Sequence, residues 1–179
     1  MRIALAVSLL LAAVIPVNNT QQRRELGAFY FDALDQSQVW MNLEPEPMES
    51  GPRPVTLNFT VAFPGRRLTS TPDVVTVRAQ SNANAFPLRI REPILRFTTA
   101  AGRLYDLTSP GRTYNFTAGC ETCPLDTLTT KMAFDELREL AASPHVSGDA
   151  LGFAVTLAPA DLAAIQRLID AVDDGAVVK

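Results

Sequence analysis

The fold is decided by the segment Val55-Thr56-Leu57-Asn58-Phe59-Thr60-Val61-Ala62-Phe63. Its odd-numbered positions are all apolar, and its even-numbered positions are polar except for Ala62. Because the side chains of a strand point alternately to opposite faces, this period of two predicts a strand with one buried face. Pro54 before the segment and Pro64 after it supply turn residues at both ends. Such a strand needs a sheet around it.

Shorter runs of the same kind occur on both sides of this segment, with Gly, Pro and Asn residues between them. Short strands at this spacing are typical of an antiparallel sandwich or barrel. Pro93 interrupts one run, and because proline cannot donate to a ladder, we expect a bulge or a sheet edge there. The further predicted strands are Val39 to Leu43, Val74 to Ala79, Leu88 to Arg91, Leu95 to Thr98, Arg103 to Leu107 and Thr113 to Ala118.

The last third of the chain has a mixed pattern. Phe134, Leu137 and Leu140 recur at helical spacing, which predicts a helix of about ten residues. Ser147-Gly148-Asp149 has the composition of a turn. Residues 151–157 then alternate between large apolar and small or polar types, which predicts another strand.

A second helix is predicted from Pro159, which suits the first helical position, to a stop at Gly175. Its apolar stripe runs from Leu162 to Val172, so it should lie on the sheet. Asp170, Asp173 and Asp174 near its C-terminus oppose the helix dipole, and we expect fraying there. The predicted fold is therefore mainly β, of the α+β class: an antiparallel β-sandwich with a C-terminal helix-strand-helix addition packed on it.

The N-terminus has the pattern of a secretory signal, because Met1-Arg2 is followed by fifteen uncharged residues, Ile3 to Val17. A membrane span needs about 20 apolar residues, so removal is favoured over anchoring. We predict a signal peptide at 1–17, a flexible segment at 18–24 and a single domain at 25–179. The expected location is secreted or periplasmic, with no stable membrane span after removal of the signal.

Composition and charge limit the possible partners. The 179 residues are 47% hydrophobic and 20% charged, which is ordinary for a folded domain. The formal net charge of −3 gives no global attraction to phosphate backbones, which disfavours nucleic acid as a partner. We expect the partner to be an unknown protein or surface ligand.

Cys120 and Cys123 form the one motif with intrinsic chemistry, and three interpretations compete: a local disulfide, a redox-active pair and half of a metal site. A closed zinc site needs four ligands, and His145 is the only histidine. Pro124 stands where haem attachment would require histidine. A redox pair favours a helix N-terminus, which the threonine-rich residues 125–130 make unfavourable. In an exported chain we predict a disulfide between Cys120 and Cys123.

Catalysis by a Ser-His-Asp group would have to use His145, which lies in a turn-rich stretch with Ser147 and Asp149 close by in sequence. Proximity in sequence is not triad geometry, and the chain has no Gly-x-Ser-x-Gly elbow. We interpret His145 as a surface residue of a turn. No catalytic residue is predicted.

Three acidic residues, Glu44, Glu46 and Glu49, form a cluster that resembles paired carboxylates or calcium ligands in composition. Prolines at 45 and 47 predict an extended linker instead. The chain also has no phosphate-binding loop and no dinucleotide fingerprint. We therefore predict neither a metal site nor a cofactor.

Two acceptor patterns for N-glycosylation, at Asn58 and Asn115, lie inside predicted strands, with each Asn on the polar side. Their use depends on the host. Taken together, the sequence predicts an exported, non-enzymatic binding or structural module of the cell envelope or extracellular space. The alternatives are a thiol-disulfide oxidoreductase using Cys120 and Cys123, and a hydrolase using His145.

Overall fold

A computed structural model describes residues 24–47, 55–82, 93–119 and 125–178. Within these ranges the chain forms eleven strands, a short 3-10 turn and two α-helices. The strands are β1 (Arg24–Phe31), β2 (Gln36–Leu43), β3 (Glu46–Pro47), β4 (Val55–Pro64), β5 (Val74–Asn82), β6 (Leu95–Thr99), β7 (Leu104–Asp106), β8 (Tyr114–Thr117), β9 (Leu125–Ala133), β10 (Val146–Ala150) and β11 (Phe153–Leu157), and the helices are α1 (Phe134–Ala141) and α2 (Pro159–Asp173).

The strands form two sheets in which all the neighbours pair antiparallel. The six-stranded sheet has the order β1-β2-β4-β5-β9-β8, and the five-stranded sheet has the order β3-β11-β10-β6-β7. The predicted mainly β, α+β fold with antiparallel sheets and helices in the C-terminal part is confirmed. The C-terminal strands are full members of the five-stranded sheet, since β10 pairs with β6 and β11 with β3.

The central strand β4 follows the predicted alternation. Val55, Leu57 and Phe59 are at most 2% exposed, whereas the residues between them are half-buried. Burial of a face this apolar is the main favourable term in folding, about 25 cal/mol for each Å² removed from water. The same alternation holds in β2, where Ser37, Val39, Met41 and Leu43 point inward.

The two helices complete the core. α1 buries Phe134, Leu137 and Leu140 and lies against β5, β9 and α2, while α2 lies against β1, β2 and β11. Both helices were predicted, and α2 ends before Gly175, whose φ of +71° suits glycine. None of the helices in the described ranges is long and apolar enough to cross a membrane.

We expected the C-terminal end of α2 to fray, but it takes part in an interaction that the sequence did not predict. The Arg138 guanidinium of α1 donates two hydrogen bonds to the Asp173 carboxylate, at 2.7 and 2.5 Å. These bonds lower the pKa of Asp173 below its usual range. The C-terminal turn of α2 is thereby tied to α1.

The turn predicted at Ser147-Gly148-Asp149 is wrong, because these residues belong to β10. Gly148 stands opposite Phe97 and Val155 on the neighbouring strands, and a Cβ at this position would lie 2.4 Å from the Arg96 carbonyl oxygen. Glycine is therefore required here for close approach of two strands, not for a turn.

The actual turn is formed by Leu151 and Gly152, which join β10 to β11 with positive φ values of 55° and 74°. Two consecutive residues of positive φ are typical of the type I′ hairpin. Leu151 is only 3% exposed, and its N–H donates to the Ile94 carbonyl oxygen at 2.8 Å. The tip of this hairpin is therefore packed into the protein.

Three strands besides β10 were not predicted. β1 begins at Arg24 and pairs with β2 along its whole length. β9 occupies the threonine-rich segment after the cysteines, and β3 replaces part of the linker expected around Glu46. The signal peptide at 1–17, residues 18–23 and the predicted strand Leu88 to Arg91 lie outside the described residues.

Candidate functional site

The outer face of the six-stranded sheet, which points away from the core, carries a depression of about 360 Å³ across β1, β2, β4 and β5. Its lining combines aromatic rings with amide, hydroxyl and guanidinium groups. The lining residues are Phe29, Phe31, Gln38, Trp40, Asn58, Thr60, Ala62, Thr76 and Arg78.

Trp40 is held in place by a glycine on the neighbouring strand. Gly27 of β1 stands opposite Trp40 of β2, and a Cβ at Gly27 would lie 2.4 Å from indole atoms Cε2 and Cζ2. The indole therefore lies against the Gly27 backbone, in space that any other residue would fill. Its position in the depression follows from the missing side chain.

Phe29 and Phe31 place two more rings beside Trp40. Their side chains are 52% and 38% exposed, and their ring centroids are 4.6 Å apart at an interplanar angle of 73°. An edge-to-face pair of this kind adds attraction beyond burial alone. Exposed aromatic rings that adjoin one another are a feature of interaction surfaces.

Polar side chains of β2 and β4 on the same face form a hydrogen-bonded chain. Thr60 Oγ1 donates to Asn58 Oδ1 at 2.5 Å, and Asn58 Nδ2 donates to Asn42 Oδ1 at 2.7 Å. The orientation of these groups is therefore fixed in the free protein. The same bonds use the nitrogen to which a glycan at the Asn58 pattern would be attached, whereas Asn115 in β8 is exposed.

Strand register arranges the outer face into two straight rows across the sheet. The Trp40 row consists of Gly27, Trp40, Thr60, Thr76 and Lys131. The Asn58 row consists of Glu25, Asn42, Asn58, Arg78, Thr129 and Asn115. Residues directly opposite one another in a sheet have Cβ atoms about 5 Å apart, so each row forms a continuous surface.

Two cations lie on neighbouring strands of this face, one in each row. Arg78 and Lys131 are exposed, and neither side chain forms an ion pair or hydrogen bond with any described residue. Glu25, at the opposite end of the Asn58 row, is the one acidic residue that the described register places on this face. The part of the face formed by β5 and β9 is therefore locally positive in a chain of net charge −3.

The outer face of the five-stranded sheet differs in its chemistry. A depression of about 390 Å³ there is lined by residues that include Arg96, Thr98, Leu104 and Asp149, without an aromatic ring. The Arg96 guanidinium lies 3.8 Å from the Asp149 carboxylate, so its charge is already partly compensated. This second depression therefore offers a ligand neither an aromatic ring nor a fully uncompensated cation.

His145 occupies the exposed connection between α1 and β10, as predicted for a turn residue. Its carbonyl oxygen accepts a hydrogen bond from Ser143 Oγ at 2.7 Å, and its ring has no hydrogen-bond partner among the described residues. Ser147 and Asp149 lie in β10, and the Asp149 carboxylate faces Arg96. The described residues therefore do not bring the three groups of a triad together.

Among the described residues, Tyr105 has the most strongly shifted pKa. Its hydroxyl donates to Glu139 Oε2 at 2.5 Å. Burial and this hydrogen bond raise the pKa of Tyr105 to about 12. A phenol with this pKa stays protonated at neutral pH, so the contact serves to join β7 to α1.

Cys120 and Cys123 lie outside the described residues, in the connection between β8 and β9. The described chain resumes at Leu125 as strand β9, where a redox pair would favour a helix. Glu46 belongs to β3, Glu44 precedes it, and Glu49 is not described. Within the described ranges, no three His, Cys, Asp or Glu residues are grouped so as to hold a metal ion. The predicted disulfide stays a prediction.

The sequence did not single out Trp40, Phe29 or Arg78 as site residues. The alternation of β2, in which Trp40 falls on the same side as Gln38 and Asn42, was the available signal, because a tryptophan on the polar side of a strand is unusual. No protein family, curated protein or solved structure matches this chain. The geometry of the outer face is therefore the basis for a functional interpretation.

Proposed function

We propose that this chain is an exported, non-enzymatic binding module and that it binds its ligand on the outer face of the six-stranded sheet. The observation that carries the proposal is the placement of Trp40 against Gly27 within a depression rimmed by two exposed phenylalanines. Export is supported by the charged and apolar start of the sequence.

The chemistry of the face supports binding. Ligand sites typically combine apolar or aromatic surface with a few polar groups held in fixed positions. Here the aromatic surface comes from β1 and β2, and the hydrogen-bonded Thr60 and Asn58 come from β4. Because these strands form one sheet, the site is preorganised and a ligand would not have to order it.

The described lining of the depression contains no carboxylate, imidazole or thiol. General acid-base catalysis near neutral pH needs a group that can exchange a proton there. Arginine side chains bind ligands through their guanidinium group and do not act as proton carriers. A binding role therefore has more support than the hydrolase alternative at His145 or the oxidoreductase alternative at Cys120 and Cys123.

The proposal is tested by applying the labelled protein to arrays of immobilised glycans and peptides. We expect Trp40→Ala to weaken binding of the ligands that the wild type selects by about tenfold or more, as for a buried anchor residue. Leu104→Ala, a 56% exposed position on the other sheet, is the matched control and should bind like the wild type.

Urea midpoints of both variants must be measured, so that loss of binding is separated from loss of folding. Unchanged binding by a folded Trp40→Ala protein would remove the outer face as the site. Turnover of a bound ligand by the wild type would show that the protein is an enzyme. An array on which the wild type selects nothing would contradict the proposal as a whole.

A further inference from the structure

We infer that the ligand of the outer face is an acidic oligosaccharide, which lies across the strands with a sugar ring on Trp40 and a carboxylate at Arg78 and Lys131. This inference rests on the proposed function and adds the chemical class of the ligand. It draws on three features of the two cross-strand rows: the ring on β2, the hydroxyl and amide groups of β4, and the cations on β5 and β9.

The aromatic end suits a sugar ring. A pyranose has a face of C–H groups that is apolar and flat, with its hydroxyls around the rim. The Trp40 indole, backed by Gly27, offers a surface that matches such a face. A large ring of this kind gives contact area at low cost in conformational entropy, since only two side-chain angles are fixed.

The middle of the Trp40 row suits sugar hydroxyls. Thr60 and Thr76 follow Trp40 in direct register, and Gln38 lies one alternation away on β2. The Thr60 hydroxyl donates its proton to Asn58, so its oxygen is oriented to accept a further hydrogen bond. These groups recognise hydroxyls at a ring rim better than they recognise an apolar ligand, which would leave them without partners.

The cations determine the charge of the ligand. Arg78 and Lys131 form no ion pair with a described carboxylate, although the chain as a whole is acidic. Lys131 ends the described Trp40 row, and Arg78 lies beside Thr76 in the neighbouring row. A carboxylate there would form charge-assisted hydrogen bonds, which a neutral sugar cannot form.

The length of the site favours an oligosaccharide over a single sugar. Trp40 on β2 and Lys131 on β9 are separated by three strand spacings, or about 14 Å. Lys131 is not part of the lining of the depression, so a ligand that contacts both Trp40 and Lys131 has to extend beyond it. Nucleic acid also combines rings with negative charge, but sites for single strands follow the phosphate backbone with a positively charged groove, and the described register places only Arg78 and Lys131 as cations on this face.

The test uses Trp40 itself, which is the only tryptophan of the chain and so reports directly on the site. Its fluorescence is titrated with pentagalacturonate, an alginate pentamer and a hyaluronan hexasaccharide, and with the fully methyl-esterified pentagalacturonate. We expect at least one acidic oligomer to bind about tenfold or more tightly than a neutral counterpart, and the preference to shrink as salt screens the charges.

The double variant Arg78→Gln/Lys131→Gln should lose the preference for the acidic oligomer and retain binding of the ester. Arg67→Gln, an exposed arginine outside the depression, is the control for charge and should behave like the wild type. The Trp40→Ala variant has no tryptophan to report binding, so its affinity is measured by calorimetric titration. We expect both the acidic oligomer and the ester to bind to it more weakly than to the wild type.

Each other result has a defined meaning. Equal affinity for acid and ester, or no response to any acidic oligomer, would overturn the inference but leave a ligand found on the arrays to support the proposed face. Binding that survives Trp40→Ala would remove the face itself. Tighter binding of a single-stranded DNA oligomer, or Trp40 emission that changes with protein concentration as a dimer forms, would assign the face to nucleic acid or to a second copy.

Discussion

Two aspartate carboxylates of this protein are paired with arginines, one at a buried position and the other at a partly exposed position. Asp161 in the first turn of α2 is fully buried, and it accepts hydrogen bonds from Arg24 Nε at 2.7 Å and from the Ala158 N–H at 2.9 Å. Asp173 at the other end of the helix remains partly exposed in its pair with Arg138. The first pair fastens β1, and with it the aromatic edge of the outer face, to the helical layer.

Asp161→Asn should lower the free energy of unfolding by about 3 kcal/mol, because it removes one partner of a buried pair and leaves the charge of Arg24 uncompensated. Asp173→Asn is the matched change at the exposed pair and should cost at most about 1 kcal/mol. Urea titrations at pH 7 measure both values. Equal losses of unfolding free energy in the two variants would show that burial does not determine how much each ion pair contributes to stability.

At the scale of elements, α1 begins with a carboxylate that has three donors. Glu136 accepts two hydrogen bonds from the Arg112 guanidinium, at 2.7 and 3.3 Å, and one from the Ala133 N–H at 3.1 Å. Burial alone would raise the pKa of Glu136, but these bonds outweigh it, and the pKa lies below its ordinary value of 4.5. The helix start is therefore joined to the segment before β8 by a group that acid can neutralise.

Because its pKa is lower in the folded protein, Glu136 stabilises fully above about pH 4.5, and this contribution is lost as the pH falls through the folded value. Glu136→Gln should therefore be less stable at pH 7 and should show a flatter fall in stability below pH 4.5. Urea unfolding between pH 7 and pH 3 measures the slopes. Asp135→Asn, at a 94% exposed position of the same turn, is the control. Parallel curves for wild type and Glu136→Gln would contradict the assignment.

Elements with strong local signals were predictable from the sequence. The nine residues of alternation predicted β4, and Pro159 with an apolar stripe predicted α2. β10 was misread because Ser147-Gly148-Asp149 has turn composition, while the reason for Gly148 is the nearness of another strand. Likewise the two rows of the outer face depend on the register of distant strands, which local periodicity does not determine.

At the scale of the whole molecule, the proposal of export implies that Cys120 and Cys123 are oxidised. A loop this small gains about 2 kcal/mol from chain entropy, so a double serine variant should be moderately destabilised and should still fold. A structural bond should have a potential below about −300 mV, which equilibration with glutathione buffers measures. Free thiols, or a potential of about −200 mV with insulin-reductase activity, would favour the oxidoreductase alternative.

The buried tip of the β10–β11 hairpin has a consequence for how this chain tolerates changes in length. Hairpin tips commonly accept inserted peptides because they are exposed. At Leu151 and Gly152 an insertion would pull an apolar side chain out of the core and break the bond to the Ile94 carbonyl. The turn at Gly102 between β6 and β7 has open space around it and an exposed backbone. We therefore expect the protein to tolerate an inserted epitope tag or a natural length variation at Gly102, where it leaves both sheets intact.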